Sequence, residues 1–339
     1  MSISSKAKYM LKKAISWAGI VFFVLAAFVI YTQLSKYDFN DIKEALLSIP
    51  NENIWYALLA SFLGYISLSL YDFLAIKYIK KKLEAWKWIV TGFIGFSISN
   101  NAGHAIVSGG AIRYRFYSRW GFSGHEIVKM VTFSGFTYLF ACFFLIILGY
   151  ILVPNHAFGE GAVSHMTTLV IMIGSAIGLL AYFGCVLFYR KDLTIKGVCF
   201  EMPSFKMASA QVIIGSIDIV LASLVLYFTL TPFVEIDFRT FIGVFLIAQV
   251  IGVFSQVPGG VGVFEGMFLL IIPGEHNQAF LFGALIAYRI IYYLIPLIIS
   301  GAIMLVYERH LFAQKLDRLK RINIIRALKR RKSGNNCEE

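Results

Sequence analysis

Apolar residues along this chain come in long runs separated by short polar clusters. Ala14–Leu34, Ile54–Ile76, Met130–Val153, Met166–Tyr189, Met207–Leu230 and Ala279–Leu305 are each long and apolar enough for a helix to cross about 30 Å of hydrocarbon. They are expected to be six full spans. Two further apolar stretches are interrupted. Trp88–Val107 runs into Ser108-Gly109-Gly110, and Phe241–Ile272 contains Pro258-Gly259-Gly260. Proline and paired glycines do not continue a helix at low cost, so each stretch is expected to turn back on itself at those residues. Between Lys36 and Pro50, Ile42, Leu46, Leu47 and Ile49 recur at helical spacing among charges, which predicts a short amphipathic helix on the outer interface.

The polar clusters orient these elements. Lys6, Lys8, Lys12 and Lys13 precede the first run, and Lys77, Lys80, Lys81 and Lys82 follow the second, so positive-inside bias puts both clusters and both termini in the cytoplasm. If Trp88–Val107 crossed fully, Arg113, Arg115 and Arg119 would lie outside, against that bias. A hairpin returning to the cytoplasm removes the conflict and leaves only Lys36, Lys43 and Arg239 of the 31 Lys and Arg outside. Eight simple spans also put both termini inside and remain the alternative. The predicted fold is an all-α polytopic membrane protein of six full spans and two re-entrant hairpins. Residues 1–306 form one membrane domain, and 307–339 a basic cytoplasmic tail.

Composition agrees: 58% hydrophobic residues against 15% charged excludes a soluble globular protein. The first run is long enough to span and lacks a small-residue cleavage site, so it reads as a retained helix rather than a signal peptide. Cys142, Cys185, Cys199 and Cys337 show no metal-ligand spacing and read as free thiols. No metal or cofactor is expected. Val107-Ser108-Gly109-Gly110 recurs as Val257-Pro258-Gly259-Gly260, each preceded by a span with one acid, Asp72 or Asp218. By the assigned orientation the units, about 54–153 and 207–305, are inverted. Inverted repeats around broken helices place a substrate site where the breaks approach one another.

Ionisable groups within apolar sequence mark substrate paths by default. Here they are Asp72, Asp218, Glu265 and Arg289, joined by Arg113 and Arg115 on the returning arm of the first hairpin. Glu265 and Arg289 are expected to pair at similar depth, and Asp72 to meet Arg113 and Arg115; static ion pairs are the bland alternative. Guanidinium suits a phosphate through its forked donors. Tyr288, Tyr292 and Tyr293 flank Arg289, with Tyr292 a candidate headgroup contact. His104, Asn100 and Asn101 read as a polar cluster closing the first break. No metalloprotease, phosphate-loop or nucleophile-elbow motif is present.

The strings Leu70-Tyr71-Asp72, Ser99-Asn100-Asn101-Ala102-Gly103, Ser108 to Arg115, Val257 to Glu265 and Tyr288 to Tyr293 resemble the membrane domain of the lysylphosphatidylglycerol synthase (multiple peptide resistance factor) family over about Ala14–Leu305. The resemblance implies a flippase of aminoacylated phosphatidylglycerol in a bacterial cytoplasmic membrane, with Asp72, Arg113, Asp218, Glu265 and Arg289 at its intramembrane charged positions. Lipid-synthesising members carry a soluble transferase domain after the membrane region. Here a basic tail follows instead, so lysyl transfer is not expected. The tail is expected to lie on anionic lipid rather than nucleic acid. The expected activity is translocation of a phospholipid or lipid-linked headgroup, in concert with an enzyme that makes the lipid. The alternative is a non-transporting subunit or membrane-embedded transferase of envelope lipid synthesis.

Overall fold

The computed structural model describes residues 39–102, 105–152, 165–189, 193–195, 198–255, 257–272, 278–307 and 309. The first predicted span, His104, Cys337 and the basic tail lie outside them. The chain divides into units 1–297 and 298–339, and residues 298–307 of the second are helical.

A short helix, α1 (Phe39–Leu47), occupies the predicted amphipathic segment. Then come α2 (Asn51–Tyr78), α3 (Ala85–Ala102), α4 (Ala105–Tyr117), α5 (Gly124–Leu152) and α6 (His165–Phe188). A two-stranded ribbon, Leu193–Ile195 paired antiparallel with Val198–Phe200, was not expected from the sequence. It leads to α7 (Phe205–Leu230), α8 (Phe238–Phe254), α9 (Val263–Ile271) and α10 (Gln278–Arg289), which continues as a helix to Tyr307. Five of the described helices are long and apolar enough to cross a membrane. They match five of the six predicted spans.

The intervening helices are the predicted hairpins. Gly95 lies against Arg113 and Gly109 against Ser99, so α3 and α4 are antiparallel about residue 104. Trp86, at the start of α3, meets Trp120, just past α4, with ring centroids 5.9 Å apart, so the hairpin enters and leaves at one end. In the second hairpin Phe245 meets Phe264 at 5.7 Å and Phe241 meets Phe268 at 5.9 Å, which again sets the arms antiparallel. At 1.5 Å per residue α4 and α9 are about 20 Å and about 14 Å long, short of the hydrocarbon thickness. The eight-span alternative is therefore set aside.

The order long helix, hairpin, long helix occurs twice, as α2 to α5 and α7 to α10. Asn53 Nδ2 donates to Phe228 O at 2.8 Å and Ser67 Oγ to Ile214 O at 3.1 Å, so α2 and α7 run antiparallel. The two units thus start from opposite ends of the bundle, as inverted repeats do. One end gathers Lys80, paired with Glu201, and Lys81, paired with Glu126 at 2.8 Å.

The first break departs from expectation. Ser108, Gly109 and Gly110 are helical residues of α4, which begins at Ala105, whereas α3 ends at Ala102. Packing gives the reason: a Cβ on Gly109 would collide with Ser99 Oγ and come within 2.9 Å of Arg113 Nη1. The glycine lets two antiparallel helices approach closely, as small residues do between membrane helices. In the second hairpin Pro258, Gly259 and Gly260 do form the tip, with φ of +61° at both glycines, a backbone region that favours glycine.

Candidate functional site

Adjacent residues of α2 reach two different partners. Asp72 is fully buried; its Oδ1 accepts from Arg113 Nε at 2.8 Å and its Oδ2 from Tyr117 Oη at 2.7 Å. Arg113 Nη2 also lies 2.7 Å from Oδ1, but without hydrogen-bond geometry. The guanidinium carbon sits 4.4 Å from the centre of the Phe96 ring, so both the carboxylate and a π face balance its charge. Tyr71, one residue earlier and so turned about a quarter of the way round the helix, donates from Oη to Asp218 Oδ2 at 3.0 Å. Asp218 is 3% exposed, and its Oδ1 has no hydrogen-bond partner among the described residues.

The second predicted pair is also formed. Arg289 Nε meets Glu265 Oε1 at 2.5 Å, and Glu265 Oε2 accepts from the Gly262 backbone N–H at 2.7 Å, closing the first turn of α9. Arg289 Nη1 donates to Gly259 O at 2.5 Å, so one side chain holds both the helix start and the hairpin tip. Its Nη2 is buried without a hydrogen-bond partner among the described residues, and its guanidinium lies 4.9 Å from the Tyr293 ring centre.

A π turn, Ile290–Leu294, follows Arg289. Pro296 has no N–H to offer the carbonyl four residues back, which frees Tyr292 O. Side chains of the first repeat take the exposed carbonyls: Ser61 Oγ donates to Ile291 O at 3.1 Å, Tyr65 Oη to Tyr292 O at 3.0 Å and Asn101 Nδ2 to Tyr293 O at 3.2 Å. Asn101 thus closes polar backbone near the first break, although the backbone is that of α10.

These elements surround a cavity of about 610 Å³. Residues from α2 to α5 and from α7 to α10 line it, so it lies at the junction of the two repeats. The tip of the second hairpin meets the last turn of α3 there: Gly259 packs 3.5 Å, measured from a Cβ built on it, from the backbone oxygen of Asn100. Arg113, Asp218 and Tyr292 line the cavity, with Tyr71, Tyr138 and Gln249 as further polar groups. Asp72, Glu265 and Arg289 stand behind the wall, and Arg115 is half-buried on α4, away from the lining. The expectation that Arg115 joins Asp72 is replaced by Tyr117, whose hydroxyl takes the second carboxylate oxygen. Nothing in apolar periodicity marks Tyr117; its position one helical turn beyond Arg113 was the available signal.

No group of three His, Cys, Asp or Glu side chains able to hold a metal occurs among the described residues. Cys142, Cys185 and Cys199 are free thiols. The arrangement offers a cationic centre, a bare carboxylate oxygen and aromatic walls within one chamber.

Inverted repeats, each with a helical hairpin lining a shared chamber, define an all-α polytopic membrane protein. Residues 16–300 match the lysylphosphatidylglycerol synthase transmembrane region, and the chain belongs to that family. It is similar to an uncharacterized protein of Synechocystis sp., slr0712, with 32% identity over 82% of this chain and 87% of that protein. The inner membrane protein YbhN of Escherichia coli is 27% identical over 88% of this chain and 92% of that protein. Phosphatidylglycerol lysyltransferase of Staphylococcus xylosus is 36% identical over 26% of this chain and 11% of that enzyme.

Proposed function

We propose that this protein translocates a phospholipid or lipid-linked headgroup between the leaflets of a bacterial cytoplasmic membrane, and is not itself an enzyme. The observation that carries the reading is the chamber of about 610 Å³ where the second hairpin tip meets the last turn of α3, with Arg113 and Asp218 in its wall. Membrane-embedded charges are expensive unless paired, and Arg113 and Arg289 each keep a carboxylate behind the cavity. A headgroup phosphate exchanges with Asp72 for the donors of Arg113, the guanidinium that lines the chamber, while Arg289 keeps Glu265 behind the wall, so no arginine is left unpaired. The bare oxygen of Asp218 accepts a headgroup hydroxyl or ammonium.

The basic end of the bundle faces the cytoplasm in this reading, in accord with positive-inside bias, and both termini lie there. The inner-membrane assignment draws support from YbhN. Similarity to the lysyltransferases covers only 11% of the enzyme, which supports a relationship through the membrane region rather than shared aminoacyl transfer. Aminoacylated phosphatidylglycerol supplied by a separate enzyme is one substrate compatible with the chamber, and the tail is assigned to anionic lipid.

The test is reconstitution into liposomes with headgroup-labelled phospholipids, including phosphatidylglycerol and its aminoacylated form, and accessibility of the label to a membrane-impermeant quencher. Protein-dependent movement of label across the bilayer is expected. Failure to move any of the lipids, with folded protein in the membrane, would favour the non-transporting alternative.

A further inference from the structure

We propose that the chamber opens sideways into the bilayer through a slit between α5 and α8, bounded by Gly135 and Val253, and that the acyl chains of the lipid hang through this slit while its headgroup occupies the chamber. The proposal rests on the transport reading and adds where the substrate's apolar part goes. α5 and α8 pack against each other, and both contribute to the chamber wall. On α5 the wall passes from buried to exposed within one turn: Val131 and Ser134 are buried, whereas the next lining residue, Gly135, is exposed. On α8, Val253 lines the chamber and is 46% exposed. In the proposal these two exposed lining residues, one on each of two neighbouring helices, mark the edges of the opening.

Gly135 has a further property. Glycine inside a helix costs about 1 kcal/mol relative to alanine. At Gly215 on α7 packing demands it, because a Cβ there would stand 2.6 Å from Ala141 Cβ. At Gly135 a Cβ would meet nothing within 4 Å. Gly149, also on α5, is equally unhindered but does not line the chamber. A side chain at Gly135 would therefore stand in the mouth of the slit without disturbing the helix packing.

Position and chemistry fit a lipid with its head in and its chains out. Gly135 lies eleven residues along α5, about 17 Å at helical rise, which is close to mid-depth for a span. Val253 lies beside the second hairpin tip, at the inner end of α8. Gly135, Val253 and the neighbouring Phe136, 48% exposed, are apolar, whereas Arg113 and Asp218 lie inside. The chamber volume is within the range of sites that enclose a small ligand. It holds a headgroup and leaves two long acyl chains to the bilayer, where they lose no apolar contact.

The experiment uses the full chain in liposomes containing a phospholipid with a photoreactive group near the carbonyl end of one acyl chain, with crosslinks located by peptide mass spectrometry. Crosslinks are expected to concentrate on Gly135, Leu139 and Val253 relative to the exposed face of α6, and Gly135→Leu and Gly135→Trp are expected to abolish that enrichment. Lipid translocation should fall at least about tenfold in Gly135→Trp and stay at the wild-type rate in Gly149→Trp, with size-exclusion profiles unchanged. Uniform crosslinking over the exposed helices would overturn the slit, as would wild-type translocation by folded Gly135→Trp. Enriched, substitution-sensitive crosslinks in a protein that moves no lipid would uphold the slit and overturn the transport reading instead.

Discussion

Arg289 donates from Nη1 to the carbonyl oxygen of Gly259, so a side chain on the last helix holds the tip of the second hairpin. The same guanidinium binds Glu265 through Nε, and Glu265 in turn accepts from Gly262 N. Lysine has one point charge and no planar fork, so Arg289→Lys is expected to keep the ion pair and lose the tip. Exchanging the charges, Glu265→Arg with Arg289→Glu, restores opposite signs but leaves Gly259 O without its donor and Gly262 N–H without its acceptor. Each orphaned group is half-buried, so its loss costs at most about 1–3 kcal/mol. Chemical denaturation in detergent should find the swapped protein less stable than wild type; equal stability would mean that the backbone contacts contribute nothing.

The Asp72–Arg113 pair should behave as a buried bridge. Removing one partner leaves an uncompensated charge, so Asp72→Ala is expected to destabilise by about 3–5 kcal/mol. Tyr117→Phe removes one hydrogen bond to the same carboxylate and should cost about 1–3 kcal/mol. Reversal of that order in denaturant titrations would mean that Arg113 finds another partner.

Gly109 gives a prediction of unusual sign. Replacing a helix-interior glycine with alanine ordinarily stabilises by about 1 kcal/mol. Here the new Cβ meets Ser99 Oγ and Arg113 Nη1, so Gly109→Ala is expected to lower the melting temperature, and Ser99→Gly in the same chain to recover part of the loss. An unchanged melting temperature in the single variant would show that α3 and α4 move apart freely.

These residues also mark how far the sequence could be read. Run lengths and charge bias were sufficient for the five long helices described and both hairpins, because hydrocarbon thickness and the charge of loops act on the sequence directly. Pairing of Glu265 with Arg289 and of Asp72 with Arg113 followed from the scarcity of intramembrane charges. The first break was misread because the same Ser-Gly-Gly string serves either a turn or a close helix contact, and only the facing residue, Ser99, decides between them. The π turn after Arg289 was missed although Pro296 announces a freed carbonyl; the hydroxyl that donates to it, Tyr65 Oη, lies more than two hundred residues away. Tyr71 and Tyr117 were likewise invisible as acid partners, since aromatic residues in spans are mostly packing.

At the basic end, the hydrogen bond from Lys80 holds the Glu201 carboxyl below the usual carboxylate range. A depressed folded-state value means that the contribution is present above the unfolded carboxylate value and is lost as pH falls through the folded one. Both side chains are largely exposed, at 76% and 45%, so screening limits the pair to about 0–1 kcal/mol. Glu201→Gln should therefore differ from wild type slightly at pH 7 and not at all once the pH lies below the folded value. A gap in melting temperature that widens on acidification would contradict the assignment.

The central claim is that the chamber between the repeats is the path of a lipid headgroup, and Asp218 tests it most directly because its bare oxygen belongs to no ion pair among the described residues. Asn keeps the shape of the side chain and an acceptor for Tyr71 Oη while replacing the bare carboxyl oxygen with an amide group. The measurement is the rate of phospholipid translocation in liposomes carrying wild-type protein, Asp218→Asn or no protein, alongside melting temperatures of both proteins. The account predicts wild-type translocation well above the protein-free rate and a loss of at least about tenfold in Asp218→Asn at an unchanged melting temperature. Wild-type protein no faster than empty liposomes, or an Asp218→Asn rate equal to wild type, would contradict it.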